Sequence, residues 1–175
     1  MNGLLKTLKN SESQVEEPSL GNYVIHESTD FLPNVIKNTD LNAGQQGNEL
    51  WKLFFDGSRS KTGAGGGCML ISPVNERYYA SFRFTFSCTN NVAEYEALIN
   101  ELKWAIKRGI SCLRVYGDSE LIVNQVRNVH VTKNDLLKSY KHVVWDLIER
   151  FEAFNLQSVP RDQNKHADKL AAIGA

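Results

Sequence analysis

Cysteine is scarce in this sequence, and the few cysteines form no recognisable pattern. Cys68, Cys88 and Cys112 are odd in number, widely separated and without the spacing of metal ligands. These features exclude a disulfide framework and a cysteine-based metal site, so an intracellular, reducing setting is the economical interpretation. Cys68 and Cys112 lie in apolar runs and are expected in the core. Nothing in the sequence distinguishes nucleus from cytoplasm.

Long hydrophobic runs are also absent. No segment approaches the roughly 20 apolar residues that span a membrane, and no apolar stretch follows the basic residues near the N-terminus as in a secretion signal. We therefore expect a soluble protein with no membrane partner. With 42% hydrophobic and 10% aromatic content, 175 residues can bury one ordinary core and carry a tail. A monomer is the simplest expectation.

Net charge is absent as well, because 20 basic residues balance 20 acidic ones. The balance hides an asymmetry. Residues 1–50 hold three lysines and seven acids, whereas residues 51–175 hold seventeen lysines and arginines and thirteen acids, so the two parts carry −4 and +4. The neutral total therefore does not exclude a polyanionic partner for the second part.

The first quarter of the chain differs in composition from the rest. Residues 1–48 contain two aromatic residues, Tyr23 and Phe31, among many polar ones, and show no sustained period of 2 or 3.6. We interpret them as a flexible acidic leader or linker. All three tryptophans and seven of the eight phenylalanines lie beyond Leu50. Residues 49–175 are therefore predicted to form the folded domain.

Hydrophobic periodicity predicts an α/β domain with the order β-β-β-α-β-α-α-β-α. The predicted strands are residues 50–56, 64–71, an alternating segment from 78 to 86, 113–117 and 156–159. The predicted helices start after Thr89 and stop at Gly109, cover 120–127 and 135–154, and end with a helix capped by Asn164. The long third helix is expected to turn Leu136, Tyr140, Val143, Val144, Leu147 and Phe151 inward.

Four acidic residues occupy similar places in this pattern. Asp56 and Asp118 follow apolar strand runs, whereas Glu94 and Asp168 lie near the starts of helices. Strand ends direct side chains into a cleft, so the four carboxylates are predicted to converge. Mg²⁺ prefers hard oxygen ligands, and two such ions can clamp the attacking and leaving oxygens of a phosphodiester. Taken alone, each acid is as readily explained as a solvated surface group as it is as a metal ligand. The set of four together favours a nuclease.

Four phrases containing these acids carry a family resemblance. They are Phe55-Asp56-Gly57-Ser58, Thr89-Asn90-Asn91 running into Ala93-Glu94-Tyr95, Gly117-Asp118-Ser119, and Ala167-Asp168-Lys169-Leu170-Ala171. In this order they resemble a type 1 ribonuclease H domain, most closely that of gypsy-type LTR retrotransposon polyproteins. The resemblance implies a ribonuclease H-like fold: a five-stranded mixed sheet in the order 3-2-1-4-5, its first three strands antiparallel, with helices on its faces. It also implies cleavage of the RNA strand of RNA/DNA hybrids.

The resemblance further implies a role for individual residues. Asp56 would bridge two Mg²⁺ ions, for which Mn²⁺ substitutes, Glu94 and Asp118 would complete one site, and Asp168 would bind the ion that activates water. Asn90 and Asn91 would contact ribose 2′-hydroxyls, and one of them is expected to be the helix N-cap. Gly57, Ser58 and Ser119 complete the expected substrate-binding set.

Two features depart from the family pattern. His166 stands two residues before Asp168, a rotation of about 200° on a helix, so it is expected to face away from the site rather than assist catalysis. Residues 128–134 are too few for the basic protruding helix with which many family members grip substrate. Weak hybrid binding by the isolated domain is therefore expected.

Other interpretations remain open. Proofreading exonucleases carry Asp-x-Glu on the first strand, whereas Asp56 is followed by Gly57 and Ser58, and integrases lack a glutamate at the start of the first helix. A catalytically silent nucleic-acid-binding module would be favoured by loss of a carboxylate, and none is lost. Reverse transcriptase and integrase domains of a polyprotein are possible partners, because the sequence does not reveal whether the chain acts alone.

Overall fold

The computed structural model describes residues 50–175. In that range it contains five strands and four α-helices. They are β1 (Trp51–Arg59), β2 (Ala64–Ile71), β3 (Arg77–Phe84), α1 (Asn90–Lys107), β4 (Cys112–Gly117), α2 (Glu120–Val126), α3 (Asp135–Ile148), β5 (Ala153–Ser158) and α4 (Lys165–Gly174), with a 3₁₀ turn (Arg161–Gln163) before α4. The leader predicted for residues 1–48 lies outside the described residues and stays a prediction.

The sheet has the predicted order, β3-β2-β1-β4-β5. β1 pairs antiparallel with β2, and β2 with β3, whereas β1 pairs parallel with β4, and β4 with β5. The parallel pairing of β1 ends at Phe55 opposite Gly117. Asp56 directly follows Phe55 in the sequence, and Asp118 directly follows Gly117. Both acids therefore lie at the same edge of the sheet.

Helices cover both faces of the sheet, and glycines in β2 allow them to come close. Successive residues of a strand point to opposite faces. A Cβ on Gly66 would meet Ala97 of α1, whereas a Cβ on Gly67 would meet Leu170 and Ala171 of α4. α1 therefore packs on one face and α4 on the other.

Polar bonds in the core tie the helices of one face together. The Tyr140 hydroxyl of α3 donates to Glu96 Oε1 of α1 at 2.6 Å, and both residues are buried. The Tyr95 hydroxyl donates to Gln125 Oε1 of α2 at 3.0 Å. The buried face of α1 thus includes acidic residues, Glu94, Glu96 and Glu101, as well as apolar ones.

Three predicted boundaries were wrong by three or more residues. Helix α3 ends at Ile148 instead of 154, and β5 begins at Ala153 instead of 156. The apolar residues Phe151 and Phe154 continue the helical spacing into the next element, where their rings pack 5.6 Å apart. Leu136, predicted to point inward, is 50% exposed. β1 also continues past Asp56 to Arg59, because its antiparallel pairing with β2 extends four residues further than its parallel pairing with β4.

The described cysteines are free, and Cys68 and Cys112 are buried as expected. Among the helices of residues 50–175, none combines the length and apolar character needed to cross a membrane.

Substitution of Gly67 by alanine should destabilise the domain through overpacking. The added Cβ would lie 2.3 Å from the Ala171 nitrogen and 2.5 Å from Leu170 Cβ, so α4 must shift. We expect a loss of about 3 kcal/mol in the free energy of unfolding. Gly109→Ala is the matched control, because Gly109 has φ +76° but open space around it, and a loss of about 1 kcal/mol is expected there. Equal losses in urea-induced unfolding would contradict close packing of α4.

Candidate active site

Three of the four predicted carboxylates lie together. Asp56, Glu94 and Asp118 each offer one carboxylate oxygen, and these oxygens lie within 4.8 Å of one another. Asp56 is supplied by β1, Asp118 by the residue after β4, and Glu94 by the second turn of α1. The site therefore lies where the parallel pairing of β1 with β4 ends, next to the start of α1.

Gly57 brings Glu94 to the sheet. Its amide donates to Glu94 Oε2 at 3.1 Å. A Cβ at position 57 would lie 2.4 Å from both the Ala93 carbonyl carbon and the Glu94 nitrogen. Because glycine has no side chain, α1 rests directly on the backbone of β1. The structure shows that Gly57 positions Glu94, whereas its predicted contact with substrate stays a prediction.

Asp168 stands outside the group of three, in the first turn of α4. Arg161 lies between it and the group. The Arg161 Nε atom is 3.5 Å from Asp118 Oδ2, and a terminal guanidinium nitrogen is 3.9 Å from Asp168 Oδ1. The sequence analysis did not identify Arg161 as a residue of the site. The one feature that could have identified it is its position between the last strand and the helix that carries Asp168. The Arg161 side chain is 81% exposed, so it is free to rearrange.

Asn164 connects the helix of Asp168 to the strand of Asp56. It occupies the predicted N-cap position of α4, but its side chain makes no cap bond. Instead its Nδ2 donates to the Phe55 carbonyl at 2.8 Å. This buried bond fixes the start of α4 next to Asp56. The sequence therefore identified the residue and its position, and missed its partner.

Burial and mutual repulsion favour protons at this site. Burial, and then the charge of Asp118, raise the pKa of Asp56 to about 7. Burial, and then the charge of Asp56, raise the pKa of Glu94 to about 9, although the Gly57 amide opposes the rise. Removal of these protons leaves an unfavourable concentration of negative charge, which a cation can neutralise. The donors are carboxylate oxygens, so the residues fit a hard divalent ion such as Mg²⁺.

Each polar residue predicted to bind substrate lies within four positions of Asp56, Glu94 or Asp118 in the sequence. Thr89, not Asn90 or Asn91, is the N-cap of α1, and its Oγ1 accepts from the Val92 amide at 3.3 Å. The predicted asparagine cap was therefore wrong, because a cap residue already precedes both asparagines. They lie in the first turn of α1, where Asn90 is exposed and Asn91 half-buried.

The two predicted serine contacts are partly accessible. Ser119 is the N-cap of α2, and its Oγ accepts from the Ile122 amide at 3.4 Å. Ser58 lies in β1 and is half-buried. The substrate contacts of the serines and asparagines stay predictions.

His166 is exposed, and the centre of its ring lies 6.2 Å from that of Tyr79 on β3.

Comparison with known proteins identifies the family. A family described as reverse transcriptase-like matches residues 54–174. The chain belongs to this ribonuclease H-like family. A bifunctional protein of Mycobacterium tuberculosis is 37% identical over 118 residues, which cover 66% of this chain and 32% of that protein. The chain thus spans about a third of the length of the curated relatives that it matches first.

Solved structures agree with this ribonuclease H-like assignment. Ribonuclease H1 from Halobacterium salinarum is 28% identical with a TM-score of 0.68, over 71% of this chain and 96% of that one. The N-terminal ribonuclease H domain of the M. tuberculosis protein is 30% identical with a TM-score of 0.62, over 72% and 93%. LC11-RNase H1, solved in complex with an RNA/DNA hybrid, is 29% identical with a TM-score of 0.63, over 70% and 94%. The predicted family and fold are confirmed.

The raised pKa values predict a pH-dependent stability. Asp56 and Glu94 bind protons more tightly in the folded than in the unfolded protein, so their contribution is fully present below about pH 4. It is lost as pH rises through the folded values of about 7 and about 9. Without divalent ions, the thermal midpoint should therefore decrease as the pH is raised from about 5 to about 9. Added Mg²⁺ should raise the midpoint more at about pH 8 than at pH 5.

The measurement is thermal unfolding with chelator or Mg²⁺ across this pH range. A variant with Asp56→Asn and Glu94→Gln should show a flatter pH profile and a smaller shift with Mg²⁺. A wild-type profile that matches this variant would contradict the assigned electrostatics.

Proposed function

We propose that this domain is a metal-dependent endonuclease that cleaves the RNA strand of RNA/DNA hybrids and leaves 5′-phosphate and 3′-hydroxyl ends. The observation that carries the proposal is the convergence of three carboxylates from β1, β4 and α1 within 4.8 Å. A structural role would not require three buried or half-buried acids at one point, because their repulsion destabilises the fold.

Asp56, Glu94, Asp118 and Asp168 would hold two Mg²⁺ ions, with Mn²⁺ as a substitute. Bound ions would make water a nucleophile near neutral pH and stabilise charge on the leaving 3′ oxygen. The protein itself contributes the alignment. The Gly57 amide orients Glu94, and Asn164 sets the position of the helix of Asp168. Arg161 would partly neutralise Asp118 and Asp168 before ions arrive.

Substrate selection would rest on contacts that carry no base sequence. Asn90 and Asn91, at the exposed start of α1, would contact ribose 2′-hydroxyls, the feature that distinguishes RNA from DNA. Gly57, Ser58 and Ser119 would line the backbone of the cleaved strand. The hybrid complex of LC11-RNase H1 supports this choice of substrate by similarity.

The partners would follow from the family. Its description as reverse transcriptase-like supports association with a reverse transcriptase. A place in a retroelement polyprotein, with an integrase domain as a further neighbour, would follow from the sequence resemblance alone. We propose that the domain acts as a monomer. The intact carboxylate group disfavours a catalytically silent module, and Gly57-Ser58 after Asp56 disfavours an exonuclease.

Asp118→Asn should abolish most hybrid cleavage. The amide keeps the shape of the side chain but removes a charged ligand, so the rate should fall by about a hundredfold or more. Without divalent ions the thermal midpoint should stay equal or rise, since repulsion is relieved. Asp146→Asn is the matched control, because Asp146 is an exposed acid on α3 and its loss should leave the rate unchanged. Labelled hybrid with Mg²⁺, Mn²⁺ or chelator provides the assay; full activity of Asp118→Asn would disprove the metal assignment.

Duplex DNA of the same sequence should resist cleavage, whereas the hybrid should be cut at many positions within its RNA strand. Backbone and 2′-hydroxyl contacts explain both expectations, because they carry no base information. The products can be compared on sequencing gels with each strand labelled in turn. Comparable cutting of duplex DNA would point instead to the exonuclease or integrase class.

A further inference from the structure

A cavity of about 420 Å³ opens at the tip of the β1–β2 hairpin. One wall is the turn of this hairpin, and the other is the segment between β3 and α1. Three cationic residues, Arg59, Lys61 and Arg83, line the cavity, and among the described residues around it no acidic side chain does. We call it the hairpin groove. A concave surface that carries charge of one sign concentrates its potential on an anionic ligand.

The turn that carries these cations is ordered by its own hydrogen bonds. The Ser60 amide donates to the Gly63 carbonyl at 2.8 Å. Ser60 Oγ accepts from the amides of Thr62 at 3.1 Å and Gly63 at 3.2 Å. Arg83 donates to the Thr62 carbonyl at 3.5 Å. Within residues 50–175, no ion pair engages Arg59 or Lys61, so no acid of this part of the chain neutralises either charge.

The hairpin groove lies near the candidate active site along β1 and at the start of α1, although none of the four acids lines it. Arg59 follows Asp56 by three residues on β1, about 10 Å along the strand at about 3.3 Å per residue, and its side chain points to the other face of the sheet. The other wall, Ser87 and Cys88, leads directly into Thr89 and the first turn of α1. That turn contains no acidic side chain, so the positive end of the helix dipole adds to the three cations.

We propose that the hairpin groove binds backbone phosphates of the nucleic acid, roughly three nucleotides from the cleaved bond at about 3.4 Å per nucleotide. It would supply the electrostatic grip that the short 128–134 segment lacks. This inference rests on the proposed hybrid nuclease activity. Either strand of the hybrid can present these phosphates, and the experiment distinguishes the two sources.

The test compares two variants of the full chain that each lose two cations. The groove variant is Arg59→Ala with Lys61→Ala. The control variant is Lys107→Ala with Arg150→Ala, which removes exposed cations at the opposite edge of the sheet, near the ends of α1 and α3. Hybrid cleavage is measured over a salt series to give KM and kcat, and thermal midpoints report folding.

The groove variant should raise KM by about tenfold near physiological salt and leave kcat within about twofold. The log-log dependence of 1/KM on salt should become shallower by about 2, because each lost phosphate contact removes about 0.9. Lys61→Ala alone, at an exposed position, should give about half the change in slope, and this variant decides the question if the double variant does not fold. The control variant should change neither value by more than about twofold.

Hybrids with neutral methylphosphonates two to four nucleotides from the cleavage site identify the strand. Neutral linkages in the contacted strand should raise the KM of the wild type and add nothing in the groove variant. If wild type cleaves hybrid but the groove variant matches the control, the groove inference alone is wrong. No effect of neutral linkages in either strand would also overturn it. A wild type that neither binds nor cleaves hybrid overturns this inference together with the proposed function.

Discussion

Close contact between helices and the backbone of the central strands is the constraint on which this structure depends. At Gly57 the backbone of α1 would lie 2.4 Å from any added Cβ, and at Gly67 the backbone of α4 would lie 2.3 Å away. Both helices carry an acidic residue of the site. Because the contact is backbone to backbone, no side chain can rearrange to absorb an error in helix position. The positions of the carboxylates are therefore fixed by the packing of the helices on the sheet.

The same closeness makes the site electrostatically unfavourable in the absence of a cation. Asp56 is 2% and Glu94 is 5% exposed, so water screens them poorly. A fold optimised for stability alone would put apolar residues there. The opposing contributions are local: the Gly57 amide bonded to Glu94, and the Arg161 guanidinium near Asp118 and Asp168. Arg161 is exposed, so it reduces the repulsion without filling the space between the acids.

Features that depend on local spacing were predictable from the sequence, and features that depend on long-range contact were not. The alternating third strand and the helix before Gly109 follow from side-chain period, and the position of Asp56 follows from the apolar run before it. The end of α3 was missed because Phe151 and Phe154 keep a helical spacing while they pack in a loop and a strand. The bond from Asn164 to the Phe55 carbonyl spans 109 positions of the chain, a distance over which no periodic pattern carries information. The sheet order itself came from family resemblance rather than from spacing.

The bond between Tyr140 and Glu96 connects α3, which lies outside the site, with the helix that carries Glu94. Glu96 follows Glu94 by two residues on α1, and a helix advances about 1.5 Å and turns about 100° per residue. If α1 slipped by one residue against α3, the carboxylate of Glu94 would move away from Gly57 and point in another direction. The buried Tyr140 hydroxyl resists that slip because it would lose its hydrogen bond to Glu96 inside the core. A helix that contributes no acid to the site thus sets the register of one that does, so the identity of residue 140 on α3 bears on the position of Glu94.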